Sequence, residues 1–266
     1  MSEYRAISIA RTGGVATVRM KPLRVSMNLV PYAEIHHEMG RALSELRLDD
    51  DIRIVVLTGE EDGEFLVPPP TDNYRSGSQN GRLGSPRGEW ERFTGIIRAH
   101  QAVAEMEKVV ISKVNGDAMG FGQSLMFNSD LVVAREDAKI CDMHLALGET
   151  MPTHGNEPVG PHYSLVPGDG ALSFVSQFMS PPKVKEYFFL SEEYTGAELA
   201  ATGMINTAVP LAELDAAVDD LIARLLRRSA DVLAFTKRVL NRRVVTDMNA
   251  TLDPAVAYQL FDFRRQ

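Results

Sequence analysis

Residues 109–134 read V-V-I-S-K-V-N-G-D-A-M-G-F-G-Q-S-L-M-F-N-S-D-L-V-V-A, and this stretch decides the fold. A short run of β-branched residues is followed by Asn115-Gly116, then by Gly120 and Gly122, and a second apolar run covers residues 131–134. This order predicts a strand, a glycine turn, a helix and another strand. Glycine at such a junction lets the backbone approach a ligand, and the free N–H groups at a helix start stabilise negative charge. The same glycines are equally consistent with close packing of the helix on a strand.

The flanking sequence repeats the alternation of strand and helix. Two strands joined by Gly13-Gly14 are predicted within residues 4–20, a helix over 30–47, a buried strand over 52–57 and a helix over 91–107. Repeated strand, helix, strand units imply an α/β fold with a parallel sheet and right-handed crossovers. Residues 149–165 are too rich in proline for regular structure. Residues 211–245 have the apolar stripe of an amphipathic helix.

Composition limits the classes of function. The 266 residues include 44% hydrophobic residues, which is enough for a substantial core, and the net charge of −8 argues against nucleic acid as a partner. The one cysteine, Cys141, excludes an internal disulfide and suits a reducing cytoplasm. Because there is no apolar run of about 18 residues and no basic-then-apolar N-terminus, we expect a cytoplasmic protein with no membrane span or signal peptide.

The organising stretch resembles the crotonase (enoyl-CoA hydratase/isomerase) superfamily. Its pattern N-G-x-A-x-G-x-G-x-x-L-x-x-x-x-D-x-x-x-A is matched by Asn115, Gly116, Ala118, Gly120, Gly122, Leu125, Asp130 and Ala134. Residues 55–59 resemble the family's strand before its first oxyanion loop, and residues 166–170 resemble its P-G-x-G turn. The resemblance implies a crotonase-type ββα spiral core over residues 1–205. It also implies a C-terminal helical oligomerisation region over 206–266, and hence a homotrimer or a hexamer built from two trimers.

The resemblance further implies an oxyanion hole made of two backbone N–H groups. One donor is the amide of Phe121, between Gly120 and Gly122. The other precedes Asp72, where this chain has F-L-V-P-P-P-T-D in place of the family's F-x-x-G-x-D. We assign it to Thr71, because a proline at that position has no N–H to donate. Asp72 is then expected in the substrate pocket, and residues 73–88 form either a lid or a surface loop.

Both acid/base glutamates of the family's hydratases are replaced, one by His144 and the other by Ser124. His144 could remove a proton or activate water, or it could be an ordinary histidine with one hydrogen bond. Asp169 in the P-G-D-G turn could orient a histidine, act as acid or base, or cap the following helix. His162 and Glu149, in the proline-rich segment, are further acid/base candidates.

A histidine followed by V-P-G-D-G-A resembles one subgroup, the β-diketone hydrolases related to 6-oxocamphor hydrolase. These enzymes cleave a carbon–carbon bond between two carbonyls without coenzyme A. The resemblance implies that His144, or else His162, deprotonates water with support from Asp169. The subgroup's second histidine has no counterpart here, and its late glutamate aligns with Gln259. Ser124 and Gln259 are therefore expected to line the substrate pocket.

Three other functions compete with hydrolysis of a β-diketone. One is a hydratase, isomerase or hydrolase of a thioester, with coenzyme A as part of the substrate. Another is a biosynthetic crotonase that acts on an unusual carbonyl substrate, and the third is a non-catalytic scaffold. Residues 21–24 read K-P-L-R and depart from the family's N-R-P-x-x-x-N-A-L, which implies weakened binding of coenzyme A. No cofactor is expected, apart from coenzyme A as part of a thioester substrate. No metal is expected either, because His144, His154 and His162 lack the spacing of a short-range ligand pair.

Overall fold

The strands of a repeated ββα unit are shared between two main sheets. The structure, a computed structural model, describes residues 4–23, 32–60, 62–70 and 86–263. In these residues one sheet has the order β1-β2-β3-β5-β7-β12 and the other β11-β8-β6-β4, and β9 pairs with β10. The strands are β1 (Ile7–Thr12), β2 (Val15–Met20), β3 (Ile54–Gly59), β4 (Gly63–Leu66), β5 (Val109–Val114), β6 (Gly116–Met119), β7 (Leu131–Arg135), β8 (Lys139–Cys141), β9 (Thr153–His154), β10 (Glu157–Pro158), β11 (Glu193–Thr195) and β12 (Thr207–Val209).

Helices connect the strand pairs and complete the C-terminal part. They are α1 (Tyr32–Arg47), α2 (Pro86–Glu105), α3 (Phe121–Asn128), α4 (Ala171–Phe174), α5 (Pro181–Phe189), α6 (Gly196–Ala201), α7 (Leu211–Leu226), α8 (Ala230–Leu240) and α9 (Arg242–Phe263). Two short 3-10 helices cover Gly148–Thr150 and Val175–Gln177. In the described part of the chain, no helix combines the length and the apolar character needed to cross a membrane.

Each repeat of the spiral contributes one strand to each main sheet, and a helix then leads back to the first sheet. The sequence β3-β4-α2 is followed by β5-β6-α3 and then by β7-β8, and β3, β5 and β7 pair in parallel, as do β4, β6 and β8. Because parallel neighbours point the same way, their carboxyl ends meet at one edge of each sheet. This arrangement confirms the α/β spiral core that the sequence predicted.

Strand β3 shows how the larger sheet is buried on both faces. Val55 and Leu57 join the main hydrophobic core, whereas Ile54 and Val56 pack with Leu221 and other side chains of α7 and α8. The near-continuous apolar run over residues 52–57 reflects this double burial.

A buried ion pair attaches the C-terminal helices to the spiral. Lys237 Nζ on α8 lies 2.7 Å from Asp130 Oδ2, and it also donates to the backbone oxygens of Val103 and Lys108. Asp130 also accepts the amide of Val110 at 2.7 Å, so the aspartate of the family pattern fastens α8 to β5. On α9, Met248, Leu252 and Val256 are buried in the main core, and Val244, Val245 and Leu260 pack against it. The domain boundary at residues 205 and 206 stays a prediction.

Three sequence expectations were wrong in detail. Residues 116–119 form strand β6 rather than part of a turn. The segment 211–245 is divided between α7, α8 and α9, because Ser229 caps the start of α8 by accepting the amide of Val232. The proline-rich segment contains a short hairpin, in which His154 pairs with Glu157.

Candidate active site

The candidate site lies at the carboxyl edge of the second sheet. Strand β6 ends at Met119 and leads into Gly120, and its neighbour β8 ends at Cys141 and leads into Asp142 and His144. On the other side of β6, strand β4 ends at Leu66, so residues 67–70 leave from the same edge. Parallel pairing therefore collects segments that are far apart in the sequence.

Gly120 makes the turn between β6 and α3. Its φ is +56° and its ψ is −119°, a conformation open to glycine but strained for other residues. A side chain there would also have no room, because a Cβ on Gly120 would lie 2.7 Å from the sulfur of Met143 and 3.2 Å from Asp169 Oδ2. Phe121 is the first residue of α3, so its amide has no acceptor within the helix. Gly120 thus lies close to Asp169, and the Phe121 amide, which has no acceptor within α3, follows it directly in the chain.

Gly122 has a different role in the same turn. A Cβ on this residue would lie 2.9 Å from the Cβ of Leu66, so glycine lets α3 pack closely on β4. The packing interpretation of the glycine pattern therefore applies to Gly122, and the oxyanion interpretation, at Gly120, stays a prediction.

His144 lies between two carboxylates. Its Nδ1 is 3.0 Å from Asp142 Oδ1 and 3.1 Å from Asp142 Oδ2, and its Nε2 is 3.8 Å from Asp169 Oδ2. All three side chains are almost fully buried. The backbone amide of His144 also donates to Asp142 Oδ1 at 2.9 Å, which holds the loop after β8 in a tight turn. Since Asp142 accepts the proton on Nδ1, Nε2 is the ring nitrogen left for chemistry.

Asp169 is held from two sides. Its Oδ1 accepts a hydrogen bond from Ser124 Oγ at 3.1 Å, and its backbone oxygen accepts one from His100 Nε2 at 2.6 Å. Its Oδ2 is buried and has no hydrogen-bond partner among the described residues. Asp169 Oδ1 also accepts the amide of Ala171, the first residue of α4, at 3.4 Å, so the aspartate supports the start of that helix as well.

Burial and charge separate the pKa values of this pair. Burial alone would lower the pKa of His144, but the negative charges of Asp142 and Asp169 raise it to about 9. Burial raises the pKa of Asp169 to about 6, against the opposing effect of the His144 cation. At neutral pH the pair therefore holds one proton, on the imidazole, and Asp169 is ionised.

His100 supports Asp169 without titrating in this range. Burial lowers its pKa to about 4, so the ring is neutral at pH 7. Nε2 then carries the proton donated to Asp169, and Nδ1 accepts from Asn128 Nδ2 at 3.2 Å. This neutral ring fixes the backbone of Asp169.

A family model described as enoyl-CoA hydratase/isomerase matches residues 11–261. The chain belongs to the enoyl-CoA hydratase/isomerase family. It is thus a member of the crotonase superfamily, as the glycine pattern indicated, and members of that superfamily are mostly enzymes.

Solved structures share the fold of this family member at low identity. An enoyl-CoA hydratase/isomerase from Mycobacterium paratuberculosis is 22% identical, with a TM-score of 0.76 over 96% of this chain and 92% of that one. A β-diketone hydrolase from the cyanobacterium Anabaena, solved with (S)-3-oxocyclohexyl acetic acid, is 21% identical, with a TM-score of 0.77 over 96% and 93%. An enoyl-CoA hydratase from Bacillus halodurans is 15% identical, with a TM-score of 0.77 over 96% and 93%. These likenesses show the fold, and the reaction has to be argued from the site.

The remaining site residues expected from the sequence are Glu149, His162, Gln259, Thr71 and Asp72. Glu149 and His162 are exposed, unlike the buried pair. Gln259 on α9 packs against the P-G-D-G turn, since a Cβ on Gly168 would lie 2.6 Å from Gln259 Oε1. Thr71 and Asp72 lie outside the described residues.

Asp142, Gln123 and His100 are site residues that the sequence analysis missed. Asp142 stands two residues before His144, a spacing that brings side chains together only when the loop folds back as it does here. Gln123 and His100 lie on helices, α3 and α2, where a polar residue is usually exposed. The sequence did carry one signal for Gln123 and His100: each is a polar residue on a helix face that is otherwise apolar.

Ligand atoms of Asp142, His144 and Asp169 lie within 4.8 Å of one another, as in a metal site. The two carboxylates face different nitrogens of the ring, however, and Nδ1 is already engaged with Asp142. A protonated imidazole satisfies this arrangement by itself, so we treat the cluster as an acid/base site.

Proposed function

We propose that this protein hydrolyses a carbon–carbon bond of a β-diketone, preferably a cyclic one, by a retro-Claisen reaction. The observation that carries the proposal is the buried His144–Asp169 pair beside the Gly120 turn. The reaction needs one base to activate water, one acid to protonate carbon and a donor for an oxyanion. The pair and the amide of Phe121 supply these three functions.

The two pKa values assign the roles of base and acid. Asp169, ionised at neutral pH and with a free Oδ2, is the base that takes a proton from water. His144, protonated at neutral pH, is the acid. The sequence suggested His144 as the base, and the order of the pKa values favours the reverse.

The proposed steps conserve atoms and charge. Asp169 removes a proton from water, and the hydroxide attacks one carbonyl carbon to form a tetrahedral alkoxide near the Phe121 amide. Collapse of the alkoxide breaks the bond to the α-carbon, whose electron pair forms the enolate of the second carbonyl. His144 Nε2–H protonates that α-carbon, giving a carboxylic acid and a ketone. The proton on Asp169 then passes to His144 and restores the starting state.

The alternative is chemistry on a coenzyme A thioester, which membership of the enoyl-CoA hydratase/isomerase family supports. The same donors would stabilise a thioester enolate, but His144 and Asp169 would have to replace both glutamates of a hydratase. A scaffold without activity is a third possibility. The paired buried charges argue against it, because buried ionisable groups are costly and gather at functional sites.

Calorimetry with coenzyme A separates the first two functions. The hydrolase proposal expects no heat of binding at protein concentrations that reveal micromolar affinity, together with turnover of cyclic β-diketones. Micromolar binding of coenzyme A with no diketone turnover would overturn it in favour of a thioester substrate. Neither binding nor turnover with any carbonyl substrate would support the scaffold.

Assembly as a trimer or as a hexamer is also proposed, with the C-terminal helices as the contact. Helix α8 exposes an apolar face that supports a subunit contact, with Val232 62% exposed, Phe235 66% and Val239 75%. Light scattering of the purified protein would report a mass of three or six chains, and a mass of one chain would contradict the proposal.

A further inference from the structure

A chain of buried side chains reaches His144 from the side opposite Asp169. The hydroxyl of Tyr187, on α5, donates to Gln123 Oε1, and Gln123 Nε2 donates to Asp142 Oδ2 at 3.1 Å. Asp142 in turn accepts the proton of His144 Nδ1. Tyr187, Gln123 and Asp142 have exposed fractions of 1%, 0% and 2%, so water does not compete for these bonds.

The direction of donation along this chain is fixed. A carboxylate can only accept, so the Gln123 amide must turn its NH₂ group towards Asp142 and its oxygen towards Tyr187. Tyr187 must then donate, and burial raises the pKa of its hydroxyl well above the usual range, which keeps that proton in place. Three N–H groups therefore converge on Asp142: those of Gln123 Nε2, His144 Nδ1 and the His144 backbone.

We propose that Gln123 and Tyr187 are positioning residues, which act on His144 through Asp142. They hold the Asp142 carboxylate against Nδ1 of His144. The imidazole ring is thereby oriented with Nε2 towards Asp169. They also share the negative charge of Asp142, so that less of it is left to stabilise the imidazolium. This role rests on the proposed function of His144 as an acid, but it concerns the free protein and can be measured without a substrate.

The proposed steps of hydrolysis use neither residue. Both belong to elements outside the β8 loop, α3 and α5, so they tie the ionisation of the site to the packing of two helices. The stacked partner of Tyr187 provides a matched comparison, because the Tyr194 ring lies 5.9 Å from it and has no place in the chain of donors.

The test is a pH titration of His144 by NMR, with histidine labelled at ¹³C and ¹⁵N and the signal assigned by its loss in His144→Gln. Gln123→Leu removes one donor from Asp142, so the pKa of His144 should rise by about 0.5 to 1. Tyr187→Phe should raise it by a smaller amount, and Tyr194→Phe should leave it unchanged. No rise in Gln123→Leu, or an equal rise in Tyr194→Phe, would overturn the proposal.

A double variant keeps the test informative if a single variant fails to fold. Each single variant leaves a buried polar group without its partner, whereas Gln123→Leu with Tyr187→Phe removes both ends of one hydrogen bond. The double variant should show the same rise as Gln123→Leu alone, and an unchanged His144 signal in it would contradict the role. Because the titration needs no turnover, a failed diketone assay leaves this result intact, and the two proposals fail separately.

Discussion

Nε2 of His144 lies 3.8 Å from Oδ2 of Asp169, and neither side chain is exposed to solvent by more than 4%. This separation is too long for a hydrogen bond and short enough for strong coupling between the two charges. A buried carboxylate with an oxygen that has no partner is costly, so the arrangement is expected where the oxygen receives a proton or a reactant.

The profile of kcat/KM against pH should be bell-shaped. As the pH falls through about 6, Asp169 takes up a proton and the base is lost; as it rises through about 9, His144 loses its proton and the acid is lost. Both values belong to the coupled pair. Three neighbouring buried groups do not titrate between these limits, since the pKa of His100 is about 4 and burial raises those of Cys141 and Tyr187 well above their usual values. The measurement is kcat/KM against pH, and a single rising limb would exclude a protonated histidine as the acid.

Asp169→Asn should remove the base and lower kcat by about 10² to 10⁴-fold. The variant also removes a negative charge beside His144, so the pKa of the imidazole should fall, and the acidic limb of the profile should vanish. Asp117→Asn is the matched control, because Asp117 also pairs with a histidine, with Oδ2 2.6 Å from His154 Nδ1. Equal losses in the two variants would point to a general effect of removing carboxylates.

Gly120→Ala should damage the oxyanion turn. The added Cβ would meet the sulfur of Met143 at 2.7 Å, and the backbone strain costs about 1 to 3 kcal/mol. We expect a loss of about 10²-fold in kcat, the size found when one oxyanion donor is removed. Gly13→Ala serves as the control, because Gly13 has a φ of +57° and nothing within 4 Å of the added atom. Thermal unfolding and kcat of both variants check this, and a Gly120→Ala enzyme with normal kcat would place the oxyanion elsewhere.

The spiral was predictable because its signals are local. The glycines and Asp130 of the organising stretch each have a backbone or packing role that demands that residue, so a short pattern carries much of the fold. Gly122, for example, allows α3 to pack closely on Leu66. Strand β6 was missed because four residues between two glycines are too few for a periodic pattern.

The site was only partly predictable, because its residues meet through the parallel edge of the second sheet. His144 and Asp169 were found by resemblance, whereas Asp142 becomes a partner through a local turn in which it accepts the amide two residues on. Glu149 and His162 have suitable chemistry, yet the segment that carries them leaves both exposed. Gln123 and Tyr187 are 64 positions apart and meet only through tertiary packing.

The most direct test of the account is hydrolysis of cyclohexane-1,3-dione in ¹⁸O-labelled water, followed by NMR and mass spectrometry. We expect 5-oxohexanoic acid with one ¹⁸O in its carboxyl group, formed by the parent and by His154→Gln but not by His144→Gln or Asp169→Asn. Turnover of an enoyl-CoA thioester, with no ring-opened acid from this dione or other cyclic β-diketones, would contradict it.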